Sequence, residues 1–100
     1  MPLHLTENEY TIVRQIIHNV LPSSACVYVF GSRVNHTCKP FSDLDLAIDL
    51  GRALTEVEML NLKDAFDGAA LIFKVDIVDL YNISSSFKES IEPNLISLFH

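Results

Sequence analysis

The chain has no tryptophan, only three glycines and two cysteines, and none of its apolar runs approaches the roughly 20 residues of a membrane span. Each shortage excludes something. Cys26 lies in an apolar stretch and Cys38 in a polar one, without C-x-x-C spacing, so they make no disulfide framework. His36 stands near Cys38, but no second ligand pair follows at zinc spacing, and His4, His18 and His100 read as surface or packing residues. Basic side chains are scarce as well. Seven Lys and Arg against thirteen Asp and Glu leave a formal net charge of −6, which opposes the attraction that polynucleotide binders draw from phosphates and disfavours a free nucleic-acid partner. The first residues lack the basic-then-apolar order of a secretory signal, so a cytoplasmic protein without a membrane partner is expected.

What is present describes a folded domain. The apolar share is 49% and the charged share 20%, the balance of a globular chain. At 100 residues one core is expected, spanning 1–100, with no room for a separate acceptor-binding domain.

The elements follow from periodicity. Thr6 and Glu9 spell a capping box, Leu5 and Tyr10 a staple, and Tyr10, Val13, Ile16, Ile17 and Val20 recur at helical spacing until Pro22. Ala25 to Phe30 reads as a buried strand running into Gly31. Ser42 to Leu50 alternates Leu44, Leu46, Ile48 and Leu50 with Asp43, Asp45, Ala47 and Asp49, the pattern of a strand with one apolar and one acidic face. Thr55 and Glu58 repeat the capping box ahead of Met59, Leu62 and Phe66, and the helix runs toward Gly68. Leu71 to Leu80 is again strand-like; a last helix is expected from Ser86, bent or restarted at Pro93 before Leu95, Leu98 and Phe99.

Chemistry concentrates in two short motifs. Carboxylates at i and i+2 of a strand share a face with their Cα atoms about 6 to 7 Å apart, within reach of one divalent ion. Asp43 and Asp45 have this spacing, and their mutual repulsion makes most sense beside a cation. Taken alone, D-x-D is more often a solvated strand face. Gly31-Ser32-Arg33, placed directly after a strand, offers backbone N–H groups, a hydroxyl and a guanidinium to an anion. Together they give G-S-x10-D-x-D, with Arg33 to Ser42 between the two motifs.

In GSRVNHTCKPFSDLDLAI and in FKVDIVDL the chain resembles the minimal nucleotidyltransferases of the DNA polymerase β-like superfamily. The resemblance implies an α/β (α+β) palm-like fold, a small mixed sheet of three to four strands with helices on one face. It also implies a third carboxylate from a neighbouring strand. Strand parity selects Asp76, opposite the Phe73, Val75 and Ile77 face, over Asp79, which shares that face. Asp43, Asp45 and Asp76 are then the expected catalytic and metal-binding residues, with Gly31, Ser32, Arg33 and Ser42 on the nucleotide. Asp49 is too far along its strand to join them, and Lys74 reads as a surface lysine. Two Mg²⁺ ions about 3.5 to 4 Å apart would hold ATP, with Asp76 nearest the attacking hydroxyl.

The same resemblance implies a helical HEPN-type partner whose tyrosine receives AMP, the chain acting as an antitoxin in a hetero-oligomer or homo-oligomer. Two alternatives share these residues: a small-molecule nucleotidyltransferase of the aminoglycoside type, and a module that binds nucleotide or toxin without catalysis. The apolar Ile91, Leu95, Ile96, Leu98 and Phe99 serve either a partner interface or the chain's own sheet.

Overall fold

The computed structural model describes residues 5–31 and 43–98. Helix α1 (Glu7–Val20) starts where Thr6 accepts a hydrogen bond from the Glu9 N–H at 3.1 Å and the Glu9 carboxylate accepts one from the Thr6 N–H at 2.9 Å. The reciprocal pair satisfies N–H groups that a helix start otherwise leaves orphaned. Helix α2 (Glu56–Asp67) repeats the device with Thr55 and Glu58. Here Glu58 also takes a two-pronged contact from Arg52, at 2.8 and 3.0 Å. The Arg52 guanidinium, then the Thr55 N–H, hold the Glu58 carboxyl down at about 2.

Gly68 caps α2 at φ −86° and ψ −2°, a conformation open to any residue. A methyl group there would meet only the Asp64 carbonyl oxygen at 3.6 Å and that of Ala65 at 4.0 Å. Gly68→Ala is therefore expected to stabilise the protein by about 0.4–1 kcal/mol, since it mainly restricts the unfolded chain. In urea titration the midpoint should rise at unchanged slope.

Four strands form one sheet in the order β3-β2-β1-β4. Strands β1 (Cys26–Phe30) and β2 (Leu44–Asp49) are antiparallel, β2 and β3 (Val75–Asp79) are parallel across α2, and β4 (Ile96–Ser97) runs antiparallel to β1. Alternation then sorts the side chains. Val27, Val29, Leu44, Leu46 and Ile48 face α1 and α2 and are buried with Val13, Ile17, Leu62 and Phe66. On the other face lie Tyr28, Phe30, Asp45, Asp49 and Asp76, and the short α3 (Ser85–Ile91) reaches it through an edge-to-face contact of Phe87 with Phe30 at 6.3 Å.

The C-terminal segment departs from expectation. The helix does not restart at Pro93: α3 ends at Ile91, Pro93 sits in a single 3-10 turn, Glu92–Asn94, and β4 follows. Pro93 fits the first turn of that 3-10 segment because it has no N–H to leave orphaned there. Ile96 and Leu98 flank Ser97 at strand spacing, so both turn to the core; Leu98 is buried and its N–H donates to the Val27 carbonyl at 2.9 Å. This apolar stretch thus packs on its own sheet, with Phe99 outside the described residues. The third strand is also shorter than its apolar pattern, starting at Val75 because Ile72 and Phe73 lie in a bend. Among the described residues no helix is long and apolar enough to cross a membrane.

Candidate active site

The acidic residues gather at one end of the sheet face left open by α1 and α2. Asp45 pairs with Phe30 of β1 on one side and is in register with Asp76 of β3 on the other. Adjacent strands lie about 4.8 Å apart, so the two carboxylates project side by side. Asp43 comes just before β2, where the Leu44 N–H donates to the Lys74 carbonyl at 2.8 Å and continues the alignment of the two segments. Burial first, then the negative charges of Asp76 and Asp43, raise the Asp45 carboxyl above its ordinary pKa. The cluster is thus electrostatically incomplete among the described residues: three acids crowd together, and no described basic side chain offsets Asp45.

Gly31 closes the end of β1 against this cluster. Its φ is +83°, a left-handed conformation that side chains disfavour, and an added Cβ would run into Asp45 Oδ2. Glycine is thus needed both for the turn and for the close approach of backbone to carboxylate. Ser32, Arg33 and Ser42, the other expected nucleotide contacts, lie outside the described residues, as do His36 and Cys38. Lys74 is exposed.

Asp76 and Asp79 occupy opposite faces. Asp79 is level with Ile48 on the core side, only 6% exposed, and accepts hydrogen bonds from the Leu54 and Tyr81 N–H groups, both at 2.9 Å. It fastens the loop before α2 to the end of β3. Asp79→Ala would strand two N–H groups and is expected to cost roughly 2–4 kcal/mol. Removing the exposed Asp76 carboxylate should cost almost nothing, and thermal unfolding of the two variants compares them directly. Asp49, exposed at the far end of β2, accepts from the Gly51 N–H at 2.8 Å.

Among the described residues no three His, Cys, Asp or Glu side chains form a ready metal cage. An open set of carboxylates suits a hard divalent cation that shares its coordination with water and substrate oxygens. Asp45 and Asp76, with Asp43 beside them, provide oxygen donors only, and their charge, which no described basic side chain balances, fits such an ion.

Residues 8–100 match the family described as "Polymerase beta, Nucleotidyltransferase". The chain belongs to this family. Among curated relatives of this nucleotidyltransferase, the "Probable protein adenylyltransferase MntA" of Haemophilus influenzae is 37% identical over 89 residues, covering 89% of this chain and 77% of the relative. Two similar solved structures share the fold. A toxin-antitoxin crystal structure with AMP-PNP superposes with a TM-score of 0.74 at 23% identity, over 90% of this chain and 72% of the other. A complex of tri-AMPylated Shewanella oneidensis HEPN toxin with MNT antitoxin gives 0.67 at 21%, over 90% and 68%.

One part of the nucleotidyltransferase's acidic face carries no sequence signal. A cavity of about 310 Å³ opens at its other end, lined by Tyr28, Asp49, Leu80, Tyr81, Lys88 and Glu92 together with Gly51 and Leu95. No motif joins these positions, because they come from separate elements that meet only when α3 folds back over β1.

Proposed function

We propose that this nucleotidyltransferase transfers AMP from ATP to a tyrosine hydroxyl of a HEPN-type partner protein, with release of pyrophosphate. The observation that carries the chemistry is the register pairing of Asp45 with Asp76 beside the Gly31 turn. The protein acceptor is supported by the 37% identical relative named as a probable protein adenylyltransferase, and by a structural neighbour whose HEPN toxin is tri-AMPylated.

In this reading Asp43, Asp45 and Asp76 would hold Mg²⁺, which when bound would offset the triphosphate's charge and acidify an oxygen nucleophile. The Gly31 turn lets backbone N–H groups reach the phosphates, and Ser32, Arg33 and Ser42 add hydroxyl and guanidinium donors on the following segment. Asp76, on the edge strand, accepts the proton of the attacking hydroxyl. The hydroxyl oxygen bonds to the α-phosphorus as the bond to the bridging oxygen of pyrophosphate breaks.

The test is to incubate the chain with α-labelled ATP, Mg²⁺ and a HEPN-type protein from the same source. Label on a partner tyrosine is expected. Label on an aminoglycoside-like small molecule, with none on protein, would overturn the acceptor assignment.

A further inference from the structure

We propose that the cavity beyond the acidic cluster is the nucleobase site of this enzyme, a specificity pocket for the base of the incoming nucleoside triphosphate. The inference rests on nucleotidyl transfer as proposed above and adds the direction in which the nucleotide lies. Three observations carry it.

The first is placement. Tyr28, Asp49 and Leu80 have the same strand parity as Asp45 and Asp76, so cavity and cluster share one sheet face. Asp49 lies four residue steps along β2 from Asp45, about 13 Å, comparable to the reach of a purine from its own α-phosphate. Between them on this face the strand carries the small, buried Ala47, level with Val78, so no charged side chain of β2 or β3 stands between cluster and cavity.

The second is charge. Asp49 and Glu92 outnumber Lys88 around the opening, which repels phosphate unless a cation offsets it, and the register-paired Asp45 and Asp76 that would hold one lie at the Gly31 end. Phosphates are therefore confined to the Gly31 end, and the uncharged base is left for the other. The third is shape and chemistry. A volume of about 310 Å³ accommodates a base and the edge of its sugar. Tyr81, 63% exposed, offers an aromatic face for stacking, and Leu80 and Leu95 supply apolar wall. Asp49 and Glu92 accept from an exocyclic amine or ring N–H, and Lys88 donates to a ring nitrogen or ribose hydroxyl. Asp49 has one oxygen committed to the Gly51 N–H, which fixes the carboxylate while the second oxygen remains for a ligand.

The test compares two probes by calorimetry in Mg²⁺: a non-hydrolysable ATP analogue and inorganic tripolyphosphate, each against the whole chain and its Tyr81→Ala and Asp49→Asn/Glu92→Gln variants. Tyr81→Ala removes an exposed side chain, and Asn at 49 retains an oxygen for Gly51, so both variants should fold. The proposal predicts that Tyr81→Ala weakens the analogue about tenfold and leaves tripolyphosphate unchanged. It also predicts that the double variant alters the order of preference among ATP, GTP and CTP analogues. Unchanged analogue binding in both variants, with a raised KM for the acceptor alone, would overturn it and give the cavity to the acceptor. If the wild-type chain bound neither probe, the nucleotidyl-transfer reading would itself fail and this inference with it.

Discussion

Asp45→Asn and Asp76→Asn are each expected to lower transfer at least about a thousandfold while leaving the protein folded. The two carboxylates sit side by side across β2 and β3, and among the described residues no basic side chain offsets Asp45. The same crowding gives the prediction a second readout with the opposite sign. Because folding raises the Asp45 pKa, this carboxyl adds to stability only below its ordinary value of 3.8, and the increment is lost as pH climbs through the raised one. At neutral pH the ionised group is a burden on the cation-free fold, so Asp45→Asn should raise its Tm. Wild-type protein should gain Tm on adding Mg²⁺, and Asp45→Asn should gain much less. A variant that lost both activity and Tm would show a structural role instead. Activity assays and thermal scans on the same samples separate the cases.

Gly31→Ala is expected to abolish transfer as well, and to destabilise the protein by several kcal/mol. The left-handed conformation costs about 1–3 kcal/mol for a residue with a side chain, and the new methyl group collides with Asp45 Oδ2, so the carboxylate or the turn must move. Gly51 isolates the first cost from the second. It has φ +74° with nothing within 4 Å of an added Cβ, so Gly51→Ala bears only the conformational strain. The excess loss in Gly31→Ala over Gly51→Ala in denaturant titrations measures the collision. Equal losses would mean that the Asp45 carboxylate yields freely and that its position is not fixed by the turn.

Legibility in the sequence tracked the range of the interactions involved. Helix starts are local, so Thr6 with Glu9 and Thr55 with Glu58 could be read directly, and both reciprocal caps form. The period-two pattern of Leu44 to Asp49 likewise gave the strand and its two faces, and parity alone separated Asp76 from the buried Asp79. What Asp79 does there was not legible, since its donors Leu54 and Tyr81 come from different loops. The end of the chain misled for a related reason. Leu95, Ile96 and Leu98 are too few to distinguish a helical stripe from a short strand, and the decision falls to the free edge of β1, which a local pattern does not contain. The cavity, built by β1, β2, α3 and the turns after β2, β3 and α3, is the extreme case.

The account stands most directly on which phosphorus is attacked. Supplied with Mg²⁺ and a HEPN-type protein from the same source, the chain should place label from α-labelled ATP on that protein, and γ-labelled ATP should yield only labelled pyrophosphate. Label passing from the γ position to the acceptor, or transfer undiminished in an Asp45→Asn/Asp76→Asn double variant, would contradict it.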